Sequence, residues 1–565
     1  MMQLVSLQNT QVKNFKLVLS LLFVSLVFAS CGQKSAFESS VSSIESGATG
    51  GGNTGYEDPV SGDVEALYLS GNKASLSIDS ASDVVLAIYS YQGGTSSQSF
   101  QISSAASSEA SLSYLTTENS EEDAELSEDD FELTSEELTE EFHMALRGLE
   151  STLKEEPLAD QKNNSRYLTR YATVGSQKNL KVLSSISGGS SYTTITAELR
   201  YQSTSFNFYV DTQDANRLTD DDLASLAANF QAMIPTILST FGEWTDTDGN
   251  GRFNVVFTNA VNRLGGSSGG IVTGYFNALD LFDERDHAIS NEGEYIYTFV
   301  PDPGADYGSP VSKSFALSNI LPGVLPHELQ HMINFNQHYF VRGSLSEQGW
   351  LNESLSHLAE DFTDLVENGV FDQQNDLVLT GFGMENPSRV SNYLADIANT
   401  CLTCGTTLTE RGGGYLLVKY LYEQAELGNL GEFDSGIDLI TDLVQTGDRG
   451  VDNVVNSIYG NGVDNEAFKE ILGHFALALY YSNTGLAPDD RYSFFGIDLR
   501  GVVYDNRGTY LQGPAVQEVS SFPFIDSISG SGITYVKISK EQIAAAGGQF
   551  SVFFSGSGFG GYVIK

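Results

Sequence analysis

Between residues 223 and 238 the apolar side chains Leu223, Leu226, Ala227, Phe230, Ile234, Ile237 and Leu238 recur every three or four positions, the period of a helix with one apolar face. Thr219 and Asp222 form a capping-box pattern that starts this helix, and Pro235 predicts a kink in it. Elsewhere the period is two or the apolar run is short and continuous. Ala74-Ser75-Leu76-Ser77-Ile78 alternates, and residues 84–89 are apolar throughout, so residues 61–115 read as a small antiparallel β module. Residues 192–211 read as two strands, 253–258 and 295–300 as two more, and helical patterns follow to about residue 484. From residue 496 to 565 short β runs return, among them 533–538 and 550–554, as a second β module. No repeat of fixed period is present, which disfavours solenoids and propellers.

A chain of 565 residues that is 41% hydrophobic can fill more than one core, which excludes global disorder. The 73 acids outnumber 29 bases to give a net charge of −44, so nucleic acid and anionic membrane surfaces are disfavoured as partners. Thirteen of the acids, with no base, lie between residues 118 and 141. Residues 116–160 therefore read as a solvated acidic linker.

The N-terminus points to export. Lys13 and Lys16 precede an apolar run over 17–28, shorter than the ~20 residues of a membrane span but suited to a signal-peptide core. It ends in Phe28-Ala29-Ser30-Cys31-Gly32, which resembles a bacterial lipobox, so residues 1–30 are expected to be a lipoprotein signal peptide with Cys31 lipidated. The bland alternative is an ordinary signal peptide with an incidental Cys. Residues 31–60, rich in Gly and Ser, would tether the rest to the membrane through the lipid. The expected location is the bacterial cell envelope, periplasmic or at the cell surface; Gly32 lacks the Asp that signals inner-membrane retention, which favours the outer membrane. Cys401 and Cys404 then lie in an oxidising compartment, where a short-loop disulfide is expected. A redox pair would need an adjoining βαβ unit, and a structural zinc site two further ligands.

Chemistry enters at His327-Glu328-Leu329-Gln330-His331. Residues i and i+4 of a helix share a face, so both imidazoles can grip one metal ion while Glu328 handles the proton of an activated water. Leu325, Leu329, Met332, Ile333 and Phe335 would bury this helix, and Pro326 predicts a helix start or kink over 322–326. Catalytic zinc takes three protein ligands. Asn334 and Gln337 stand where the metzincin pattern needs Gly and His, which rules that subclass out. Glu353, on a following helix with Leu351, Leu355 and Leu358 as its apolar stripe, is the third candidate ligand, with Glu347 a weaker substitute. His357 and Glu360 share its face and could hydrogen-bond a ligand imidazole.

The segments HELQHMINFN (327–336), WLNESLSHLAED (350–361) and SNEGEYIYTFV (290–300) together resemble the hyicolysin-type neutral metalloproteases, a gluzincin family, over about residues 200–480. The resemblance implies an α+β, zincin-like catalytic domain over 161–495: a twisted mixed sheet, an active-site helix and a helical C-terminal subdomain, flanked here by the two β modules. It matches His327, His331 and Glu353 to zinc ligands and Glu328 to the catalytic acid/base. Expected is a Zn²⁺-dependent endopeptidase acting on a protein or peptide substrate. Tyr415 is the first choice for an oxyanion donor, with Tyr420 and His474 behind it, and aromatic packing as the plain alternative for each.

Asp246-Thr247-Asp248-Gly249-Asn250-Gly251 matches the first half of a calcium loop, yet Phe257 stands where position twelve needs Glu, which excludes a complete EF-hand. A reduced Ca²⁺ site on Asp246, Asp248 and Asn250, or a plain Asx/Gly turn, would each account for it. Two rival functions stay open: a catalytically silent surface-binding lipoprotein or adhesin, and an aminopeptidase-like gluzincin. The Gly383-Met384-Glu385-Asn386 motif resembles the aminopeptidase amine anchor but lies downstream of the metal ligands.

Overall fold

Phe142, Leu146, Leu149 and Leu153 fall at helical spacing within the acidic stretch, and in the computed structural model Ser135–Thr152 is a helix, α1. Phe142, Leu146 and Leu153 are buried in the main core. The expectation of a solvated linker over 116–160 is thus corrected for residues 135–153: the apolar stripe outweighs the charge once a core is there to receive it. The structure describes residues 64–79, 82–104, 135–153, 172–185, 191–265, 270–361, 386–405, 407–464, 466–502 and 510–565. The segments expected to form a signal peptide and a tether, with Cys31, lie outside them.

The fold is mixed helix and strand with several sheets. The sheet that carries the site has six strands: β1 (Gln177–Leu183), β2 (Tyr192–Gln202), β3 (Phe206–Asp211), β4 (Phe253–Phe257), β5 (Gly274–Phe276) and β6 (Tyr295–Thr298), in the spatial order β5-β6-β4-β3-β2-β1. The first three pair antiparallel, β3, β4 and β6 run parallel, and β5 closes one edge antiparallel to β6. A parallel pair needs a crossover, and helix α2 (Asp220–Phe241) supplies it between β3 and β4. The Thr219/Asp222 capping box opens it, and it runs through Pro235 as one element.

Helix α3 (Leu321–Phe335) carries the HExxH motif and is apolar around most of its surface, so it lies inside the fold between the sheet edge and other helices. It does not begin afresh at its prolines: a wider π turn, Ala316–Ile320, leads into it and both Pro322 and Pro326 lie within it. At Gly274 of β5 the backbone and α3 come so close that a Cβ would stand 2.6 Å from Val324 Cγ1 and 3.5 Å from Glu328 Cγ. Helix α4 (Gly349–Glu360) packs along α3, and α5 (Leu408–Glu426) backs α4. Gly414 permits that second approach, since a Cβ there would meet Ser354 Oγ at 2.5 Å. Helix α6 (Ala467–Tyr481) completes the helical part.

The two β segments expected as separate modules interleave into one two-sheet sandwich. One sheet runs Val64–Ala66, Phe559–Ile564, Val84–Ser90, Ile533–Ile538, Val516–Glu518. The other runs Phe524–Ile528, Gln98–Ser104, Gln549–Phe554, Lys73–Ser77, Leu69–Ser70. Leu86, Ile88, Phe100, Ile102, Ile538 and Val552 fill the space between them. Alternating strands state which face is apolar but not which strand lies alongside, so the pairing was not readable. The sandwich docks on α6, where the Tyr535 hydroxyl donates to the Ala476 carbonyl. No helix among the described residues is long and apolar enough to cross a membrane.

Candidate metal centre

One turn of α3 separates His327 from His331, and their rings meet edge-on with centroids 4.8 Å apart. Each Nδ1 is already engaged: His327 Nδ1 lies 2.9 Å from Glu360 Oε1, and His331 Nδ1 lies 3.0 Å from Asn352 Oδ1 and 2.9 Å from Ser356 Oγ. Hydrogen bonds at Nδ1 turn the Nε2 atoms of the two rings towards each other, 3.1 Å apart and within hydrogen-bond reach. Among the described residues, the partners of both Nδ1 atoms thus come from helix α4.

Glu353 of α4 faces them, fully buried. Its Oε2 is 3.7 Å from His327 Nε2 and its Oε1 3.6 Å from His331 Nε2. Arg411 Nη1 and Arg147 Nε approach the same carboxylate at 3.6 and 3.8 Å. All four contacts exceed hydrogen-bond length, and neither Glu353 oxygen has a hydrogen-bond partner. A buried carboxylate without hydrogen bonds is costly unless a cation shares its pocket, and two imidazole nitrogens plus one carboxylate form a donor set that can hold one.

The electrostatics express the same compression. Burial alone would raise Glu353, but chiefly the charge of Arg411, with the two imidazoles adding to it, holds it well below the usual carboxylate range. Burial opposes the charged form of His327 too, yet the carboxylates of Glu353 and Glu360 carry it up to about 9. His331, buried and near the charge of Arg147, is held well below its ordinary value. Burial pushes Glu328 up to about 7 against the attraction of His327 and Arg147. The Glu328 Oε2 is buried without a hydrogen-bond partner.

Glu360 meets His327 as expected and is also paired with Arg389 Nη1 at 3.2 Å. His357 stands one step back, its Nδ1 2.7 Å from Glu360 Oε1. Glu347 lies elsewhere, its Oε1 accepting from Gly450 N and its Oε2 from Asn453 Nδ2. Tyr415 needs a correction: its hydroxyl donates to Asp361 Oδ2 at 2.8 Å beside Lys419, so its one proton is committed behind α4. Tyr420 donates to the Arg491 carbonyl, and His474 packs against Tyr492. The hydroxyl protons of Tyr415 and Tyr420 are thus committed to other acceptors.

Sequence reasoning missed Arg147, Arg411, Asn352 and Ser356. Asn352 and Ser356 could have been found, since both fall on the Glu353 side of α4 by helical spacing. Arg147 and Arg411 could not, because their helices reach the centre only through the tertiary fold. Cys401 and Cys404 are disulfide-bonded. Residues 383–385 of the amine-anchor motif lie outside the described residues. Asp246 and Asp248 gather with a third acid, Glu294, where strands β4 and β6 begin. No protein-family model matches this chain, and no curated protein matches it.

Proposed function

We propose that the chain is a zinc-dependent endopeptidase of the gluzincin kind, with a zincin-like domain and an N-terminal lipid anchor in a bacterial envelope. One observation carries the reading: two Nε2 atoms 3.1 Å apart face a buried, hydrogen-bond-free carboxylate, with Glu328 on the next position of the same helix. His327, His331 and Glu353 would hold the zinc. When bound there, zinc supplies the Lewis acidity that polarises a peptide carbonyl and lowers the pKa of water. Glu328 accepts the proton of the attacking water and passes it to the leaving amine, as a general base that becomes a general acid. Glu360, Asn352 and Ser356 would hold the imidazoles in one tautomer.

Helix α1 bears on access. Phe142 packs edge-on against Tyr275 of β5 with centroids 5.3 Å apart, and Arg147 approaches Glu353. His327 and Glu328 are only 7% and 2% exposed, and we propose that α1 moves aside to admit a polypeptide substrate. The arrangement described is in this reading the closed form.

Glu328→Gln tests the proposal. It is expected to retain stoichiometric zinc and lose cleavage of an unfolded protein, whereas wild-type activity in the variant, or a wild-type chain that takes up no zinc, refutes it. Amino-terminally acetylated peptides separate the endopeptidase from an aminopeptidase, which does not cut them.

A further inference from the structure

The loop before β4 and the residue before β6 meet because these strands are parallel neighbours, with Asn254 opposite Tyr295. Parallel pairing puts both strand starts at one edge of the sheet. Asp246 and Asp248 from the loop and Glu294 from the start of β6 there bring one carboxylate oxygen each within 4.8 Å of one another. Glu294 is fully buried. Its Oε1 accepts from the Thr247 hydroxyl at 2.7 Å and from the Thr247 backbone N–H. Its Oε2 is buried without any hydrogen-bond partner. The Glu294 carbonyl accepts from the backbone and side-chain amides of Asn254 at 2.8 and 3.1 Å, so the residue is fixed where it stands.

We infer that Asp246, Asp248 and Glu294 form a calcium site, in which Glu294 supplies from a separate strand the carboxylate that the loop itself lacks at position twelve. All donors are oxygen, which selects a hard cation over zinc, and an acidic set built on a loop suits the irregular, larger shell of Ca²⁺ better than the strict octahedron of Mg²⁺. Asn250 is the next oxygen along the loop, and its Oδ1 accepts from Arg252 N at 2.7 Å. The repulsion among the acids is already visible: burial raises Asp248 with Asp246 adding to it, and burial raises Glu294 to about 7 with Asp248 adding to it. Lys178 lies near enough to favour ionised Asp248, but its ammonium is hydrogen-bonded to the Tyr295 hydroxyl. A bound cation would tie the loop to the strand start and so brace the edge of the sheet that carries the metal helix.

Terbium, a luminescent substitute for calcium, tests this on the full chain, because Trp244 stands two residues before Asp246 and can sensitise it. Wild-type protein should show Tb³⁺ emission on excitation of tryptophan, displaced by Ca²⁺ but not by equal Mg²⁺, and its Tm should rise with Ca²⁺. Glu294→Gln should weaken Ca²⁺ binding at least about tenfold, measured by calorimetry. Asp246→Asn, at an exposed position, should do so too and guards against a folding defect in the buried variant. Both variants should keep the wild-type zinc content, which separates this site from the His327 centre. Ca²⁺ affinity equal in all three proteins, or no Ca²⁺ binding by the wild type at millimolar concentration, overturns the inference.

Discussion

Arg147 of α1 points its guanidinium at the Glu353 carboxylate, 3.8 Å away, although they belong to helices far apart in the chain. Arg147 is itself paired with Glu150 at 3.1 Å, and both are buried. A cation from α1 thus competes for the carboxylate proposed as a zinc ligand. Arg147→Ala should loosen α1 and raise cleavage of an unfolded protein by on the order of tenfold, equivalent to about 1.4 kcal/mol in the opening equilibrium. The assay is turnover at saturating zinc; a fall in turnover would instead make Arg147 part of the substrate-handling machinery.

Glu360 holds His327 by its Nδ1, so its loss should be felt at the metal. Glu360→Gln is expected to lower zinc affinity by about 10- to 100-fold, read by competition with a chelator of known affinity. Asn352→Ala should act in the same direction through His331.

Gly274 is the contact point between β5 and α3. Gly274→Ala should cost about 1–3 kcal/mol in unfolding free energy, because Val324 is stiff at χ1 and cannot turn away from the added methyl. Val324→Ala in the same chain should recover most of that loss; additive losses in denaturant titrations would contradict the contact.

His474 is buried, its Nε2 has no partner, and burial with the nearby charge of Arg491 lowers it to about 4. The folded state therefore favours the neutral ring. Its contribution to stability is complete above the unfolded value near 6.5 and declines as pH falls from there towards about 4. His338, also lowered to about 4, acts in the same window. His474→Phe should accordingly lose less Tm than wild type between pH 7 and pH 5.

The helix bearing His327 and His331 was legible because its chemistry and its apolar wrapping share one short period, and Glu353 because a second stripe fixed the face it occupies. The strands over 192–211, 253–258 and 295–300 were legible from local pattern as well. What local pattern lacks is the identity of neighbours. Charge counting hid the stripe of Phe142, Leu146 and Leu153, since a run of acids in the sequence drew attention away from apolar residues at helical spacing. Glu294 was invisible as a partner of Asp246 because their meeting depends on parallel register, which no single strand encodes.

Strand Val64–Ala66 pairs with strand Phe559–Ile564, register Val64 to Ile564. The sheet holding both therefore cannot close on a chain emerging from the ribosome until Phe559–Ile564 has followed all of the fold between them. Until residues 559–564 have been synthesised, strands 64–66 and 84–90 present open edges, a window in which chaperone capture or self-association competes with closure. Removing residues 559–564 should for that reason impair solubility by baring strands 64–66 and 84–90, far in sequence from the deletion itself.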